Sequence, residues 1–186
     1  AFSNHDVPRS VTRQSESLGI EAENVEALQL LLLKLEVCLI GSTCVYQGEE
    51  LALTDVRDIP IDKIQDPWGK EFAPAFLGRD TCRTPMVWDS GEPNFGFSTA
   101  NHTWLPAARE HAIRAGLEEA SRPDSVYTQF AGFLRWRKKQ PAFMSANKMT
   151  KAWSSDSSLE FDRISPTQNL RCNFDFKSLI ATFEEL

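Results

Sequence analysis

The stretch "NVEALQLLLLKLEVCLI" (24–40) constrains this chain more than any other. Its apolar residues recur at helical spacing, with Glu26 and Lys34 on the remaining face, so a helix is predicted there. Gly41 follows the last periodic residue, where a helix C-terminal glycine belongs. On either side stands a short run that ends in polar groups. "AFSNHD" (1–6) precedes the helix, and the β-branched and aromatic "STCVYQGEE" (42–50) follows it. Strand, helix and strand in this order imply a parallel sheet. In sheets of that kind, chemistry collects at the C-terminal ends of the strands. His5 and Asp6, and Glu49 and Glu50, occupy those ends.

Residues 51–122 show little periodicity and are punctuated by Pro60, Pro67, Pro74, Pro85, Pro93 and Pro106. A connection this long inside a domain is functional or disordered. Its aromatic content (Trp68, Phe72, Phe76, Trp88, Phe95, Phe97 and Trp104) predicts an ordered loop, and Trp68, Phe72, Trp88 and Trp104 are assigned to its own small core. A second helix is predicted over 123–140, with Asp124 or Ser125 as cap, Val126, Phe130, Phe133 and Leu134 on its apolar face, and Pro141 as stop. After it, "SSLEFDRI", "NLRCNFDF" and "LIATFEEL" alternate apolar with polar and read as three antiparallel strands.

The net charge of −6 argues against a nucleic-acid partner, whose phosphates demand concentrated Lys and Arg. The longest apolar run, Leu28 to Leu35, is too short to span a membrane and carries Gln29 and Lys34. No basic segment followed by an apolar core opens the chain, so no secretion signal is visible. Cys38, Cys44, Cys82 and Cys172 form no C-x-x-C pair and read as free thiols of a reducing compartment. A cytoplasmic location is expected, with no membrane and no nucleic-acid partner.

Three stretches together resemble one family. "AFSNHD" resembles the fourth conserved region of the α-amylase superfamily, glycoside hydrolase family 13; "CVYQGEEL" is similar to its eighth barrel strand. "QDPWGKEFAPAFLGRDTCRTPMVWD", followed by "GFSTANHTWLP", is similar to the loop after that strand in bacterial α-glucosidases and oligo-1,6-glucosidases. The resemblance implies an α/β fold: the C-terminal part of a (β/α)8 TIM barrel (strands seven and eight with their helices and a long loop). The start of an all-β C-terminal domain would follow it. Residues 1–145 would belong to the barrel and 146–186 to the β-domain. The family's nucleophile, an Asp on strand four, and its acid/base, a Glu on strand five, would lie outside this sequence, making the chain a fragment.

Retaining glycoside hydrolysis uses two carboxyl groups about 5 Å apart across the scissile bond. A third carboxylate assists by gripping the sugar hydroxyls more tightly as the ring flattens, which lowers the barrier. By resemblance Asp6 is that catalytic third carboxylate, and His5 and Arg79 bind the substrate. Arg79 would hold the 4-hydroxyl of a terminal glucose and make the enzyme exo-acting. Arg83 reads as structural, Glu49 or Glu50 as a pocket or tethering residue, and Asp55 sits where relatives contact the leaving-group sugar. The sequence departs from the family pattern at Ala73, where that pattern usually has tryptophan, and at Ile40, where a basic residue is common. The parent reaction implied is hydrolysis of terminal α-linked glucose from a short, maltose-like oligosaccharide, α-1,4 rather than α-1,6, with no cofactor and no metal. Alternatives stay open: a non-catalytic amylase-like protein such as a transporter heavy chain, a truncated gene product, or a sucrose isomerase or transglucosidase.

Overall fold

Ten regular elements fold in chain order in the computed structural model, which describes residues 1–144 and 148–186. The expected domain boundary between 145 and 146 falls outside the described residues. Helix α1 (Ser10–Leu18) closes on Gly19, whose φ of 64° lets its N–H reach Ser15 O. The predicted helix forms as α2 (Val25–Cys38), which buries Leu28, Leu30 to Leu33, Leu35, Val37 and Cys38 on almost all its faces. Such all-round burial is what a helix packed between other layers requires.

The end of α2 departs from the glycine-capped end predicted. The helix stops at Cys38 with Leu39 extended, before Gly41 is reached. Two arginines answer its last carbonyls instead: Arg137 Nε donates to Val37 O at 2.7 Å and Arg163 Nη1 to Cys38 O at 2.6 Å. Cations at a helix C-terminus satisfy orphan carbonyls and complement the dipole together.

The parallel strands expected at 1–6 and 42–50 are not paired. The first contributes one isolated bridge, Asn4 to Val7, and the second has no ladder before a 3-10 turn at Glu49–Leu51. A strand needs neighbours to satisfy its backbone, and two strands alone do not make a stable sheet. Side chains join the two segments instead. Glu49, 1% exposed, accepts from Ser3 Oγ at 2.6 Å, Ser10 Oγ at 2.8 Å and Tyr46 N at 2.8 Å.

Residues 51–122 are ordered around α3 (Pro67–Phe72), α4 (Gly116–Ser121) and several 3-10 turns. Two small cores hold them: Leu51, Leu53, Met86, Val87 and Ala115, and Val56, Ile59, Ile64 and Ala108. The aromatics assigned to that core lie outside it. Trp68, Phe72, Trp88 and Trp104 are 51–62% exposed, because aliphatic residues already fill the space between the turns.

Helix α5 (Val126–Arg137) starts on Ser125, whose Oγ accepts from Thr128 N at 3.0 Å, and is followed by the single turn α6 (Pro141–Met144). The C-terminal strands form an antiparallel meander of four: β1 (Lys148–Ser154), β2 (Ser158–Ile164), β3 (Asn169–Asp175) and β4 (Ile180–Glu185). β1 is additional to the three strands predicted, since its mostly exposed residues leave no alternation to read. Register sets Phe161 opposite Cys172, and Cys172 opposite Phe183. Leu170, Cys172 and Phe174 alternate inward and join Leu31, Leu35, Phe130 and Phe133 in one core. The sheet and the two long helices are therefore one packed unit.

Candidate active site

Asp66 organises the loop that reaches toward Asp6. It caps α3, with Oδ1 accepting from Trp68 N at 2.9 Å and Pro67 in the first helical position, where its missing N–H costs nothing. Its other oxygen, Oδ2, accepts from Arg79 N at 2.9 Å and Arg79 Nε at 2.6 Å. The hydrogen bond from Arg79 outweighs burial and pushes the Asp66 carboxyl down to about 2. The approach of 66–69 to 77–79 depends on Gly78, whose φ is +70° and where a Cβ would stand 2.8 Å from Asp66 Cγ. Asp80 secures the same segment by accepting from Gln65 N at 2.6 Å and Asp66 N at 2.9 Å.

Arg79 is thus aimed. Its guanidinium lies 5.9 Å above the Trp68 ring, and Nη1 donates to Asp6 Oδ1 at 3.1 Å. Arg83, one turn on, donates Nη2 to the same oxygen at 2.9 Å and Nε to His5 O at 2.6 Å. His5 Nε2 stands 3.3 Å from Asp6 Oδ2. The structure therefore brings His5, Asp6 and Arg79 together from segments 73 residues apart in sequence.

Arg9 locks the two segments together. Buried to 1% exposure, it donates Nη1 to Gln47 O at 2.6 Å and Nη2 to Cys82 O at 3.2 Å, and stacks over Tyr46 at 5.2 Å. Asp55 accepts from Arg9 N at 2.7 Å and Thr81 Oγ1 at 3.0 Å, so it too ties backbone segments.

One member of the cluster, Asp66, was not named in the sequence. Arg83 reads there as structural, and it shares Asp6 with Arg79; four-residue spacing around the turn Asp80–Cys82 is the signal that sets both on one side. Asp66 was legible only as an Asp before a proline, a helix-start pattern that says nothing of Arg79. The site is open: the side chains of His5, Asp6 and Arg79 are 69%, 51% and 37% exposed. Among the described residues no three His, Cys, Asp or Glu side chains gather as a metal would need.

Chemically, one carboxylate oxygen is fixed by two guanidiniums while the other faces an imidazole. Such a set presents acceptors and rigid donors to a polyhydroxylated ligand.

Comparison with known proteins agrees in family and in shape. A probable α-glucosidase of Rhizobium meliloti is 39% identical over 184 residues, covering 99% of this chain and 32% of its own length. An oligo-1,6-glucosidase of Parageobacillus thermoglucosidasius is 31% identical over 74% of the chain and 26% of its own length. The chain thus spans about a third or less of these relatives. The crystal structure of an α-glucosyl transfer enzyme superposes with a TM-score of 0.80 at 35% identity, covering 94% of this chain and 31% of the other. A trehalulose synthase from Pseudomonas mesoacidophila, at 21% identity and a TM-score of 0.77, shares the fold. Residues 1–146 match the family profile described as alpha amylase, catalytic domain, and the chain belongs to that family, glycoside hydrolase family 13.

Proposed function

We propose that this chain is the C-terminal part of a retaining α-glucosidase that removes terminal α-linked glucose from short oligosaccharides. In this reading 1–145 completes a (β/α)8 barrel and 146–186 begins the β-domain. Asp6 is the third carboxylate, gripping ring hydroxyls as positive charge develops at the anomeric carbon. His5 and Arg79 bind the same hydroxyls, and Arg83 fixes Asp6 beside them. One observation carries the reading: Asp6 Oδ1 accepts from Arg79 and Arg83 at 3.1 and 2.9 Å, with His5 beside the other oxygen.

The reading places the nucleophile and the acid/base in sequence outside this chain. Three half-exposed side chains cannot form the dry site in which such charges act strongly. The isolated chain is therefore inactive. An α-1,4 preference rests on the short loop around "QDPWG". A second reading, glucosyl transfer in place of hydrolysis, is favoured by the 35% identical transfer enzyme and uses the same residues.

The test grafts this chain in place of the matching third of the Rhizobium meliloti relative. The graft should hydrolyse maltose and a nitrophenyl α-glucoside, whereas the 186-residue chain alone should not. Asp6→Asn in the graft should lower kcat by about 10²–10³, as removing one group that stabilises developing charge does. A graft that folds and hydrolyses equally well with Asn at position 6 would sink the assignment.

A further inference from the structure

A cleft of about 730 Å³ is lined by none of His5, Asp6 or Arg79. Its volume lies within the about 300–1,000 Å³ of small-ligand sites. Trp104 and Phe95 supply its aromatic surface, and Asn94, Gln65, His102 and Arg109 its polar rim. Trp104 is held with its ring outward: the next residue, Leu105, is a buried anchor at 1% exposure, while Trp104 itself is 62% exposed.

Two of the lining residues carry an unusual backbone. Asn94 and Phe95 stand back to back in the left-handed region, at φ 49° and 52°, with glycine only after them. For a bulky residue such as Phe this is a genuine outlier, and outliers of this kind collect at ligand sites. The surroundings enforce it. Phe95 O accepts from Trp88 N at 2.8 Å and Asp89 N at 3.1 Å, and Asn94 Nδ2 donates to Ser98 O and Ala100 O, both at 2.8 Å. Those bonds use both amide hydrogens of Asn94 and leave its Oδ1 as an acceptor.

The charges decide what chemistry suits the cleft. Lys63, also on the rim, is answered by Asp62 at 3.3 Å, which leaves Arg109 as the lining cation without an ion pair among the described residues. A multiply charged anion would need more than that. An exposed indole beside interleaved donors and acceptors instead suits a neutral ring with one apolar C–H face and a rim of hydroxyls, each of which donates and accepts.

We propose that this cleft binds a neutral pyranose unit of an oligosaccharide, stacked on Trp104 and hydrogen-bonded by Asn94, His102 and Arg109. The cleft shares a segment with the cluster around Asp6, since Gln65 lines it and the next residue, Asp66, holds Arg79. The inference uses neither Asp6 nor its chemistry; only the choice of a glucose oligomer as probe rests on the glucosidase reading.

The test titrates maltotriose into the isotope-labelled chain and follows indole N–H and backbone amide signals. The Trp104 indole signal, identified by its loss in Trp104→Phe, should shift and saturate in the millimolar range. Trp104→Ala should weaken binding at least tenfold, and Arg109→Ala, at a second exposed position, several-fold. An unmoved Trp104 signal, or unchanged affinity in Trp104→Ala, overturns the proposal. Saturation by inorganic phosphate with none by maltotriose overturns it as well. Shifts confined to His5 and Asp6 would overturn it while leaving the glucosidase reading in place.

Discussion

Asp66 directs Arg79 by receiving both its backbone N–H and its Nε on one buried oxygen. The same contact makes folding pH-dependent. Its folded carboxyl sits at about 2, below the roughly 3.9 of an unfolded aspartate. A depressed carboxyl contributes its stability fully above the unfolded value and loses it as the pH falls through the folded one. The window is therefore about pH 4 down to about pH 2. Arg79 is partly open to solvent, so screening reduces the contribution to on the order of 1–2 kcal/mol. Asp66→Asn should thus be less stable at pH 7 by that amount and converge on the parent chain toward pH 2, as read by urea denaturation across a pH series. Equal stability at pH 7 would mean that the pair only orients Arg79.

At the scale of elements, the joint between α2 and the sheet depends on one buried cation. Arg163, on β2 and 4% exposed, donates to Cys38 O at 2.6 Å and lies 5.4 Å over the Phe143 ring. Removing it strands a buried helix-end carbonyl. Arg163→Ala should cost about 2 kcal/mol, the scale of a hydrogen bond to a charged group, whereas the exposed Arg135→Ala should change stability by less than about 0.5 kcal/mol. Thermal or denaturant unfolding of the two variants checks this. The joint was invisible in the sequence, because Cys38 and Arg163 are 125 positions apart and neither residue type signals a cap at that range. Elements with their own periodicity were legible: α2, α5 and the alternating β2 to β4. Helix α1 was not, since "SVTRQSESL" offers too few apolar residues to set a period, and its start and stop depend on Arg9 and Gly19. The segments 1–6 and 42–50 carry strand-like residues, but residue type cannot supply a partner.

Across the whole molecule the chain divides by how its backbone is satisfied. The core of α2, α5 and the four-stranded sheet buries Leu31, Leu33, Val126, Phe161, Cys172 and Phe174 nearly completely, and its backbone bonds are internal to helices and ladders. Residues 42–48 form no ladder and are held near their C-terminal end, where Tyr46 N donates to Glu49, Arg9 donates to Gln47 O and backbone N–H groups of the following turn reach Tyr46 O and Gly48 O. The cluster around Asp6 sits at this weaker edge. His5, Asp6 and Arg79 could be named from motifs that the sequence keeps in order, whereas Asp66, Arg83 and Arg9 act through geometry that only folding reveals. Local opening costs range from near zero to the full unfolding free energy, according to how much structure must break. Amides of α2, α5, β2 and β3 should therefore exchange with solvent only at the global rate. Amides over 42–48 should exchange orders of magnitude faster, with 51–122 between them on account of its two small cores. On the barrel reading proposed above, joining the chain to the remainder of a relative should slow 42–48 to the rate of β3, because that reading gives the segment ladder partners on either side. Hydrogen–deuterium exchange read by mass spectrometry resolves these segments. Fast exchange at 42–48 persisting in an active graft would show that catalysis by this family does not require that segment to pair as a strand, and would remove the barrel from the account of how Asp6 is held.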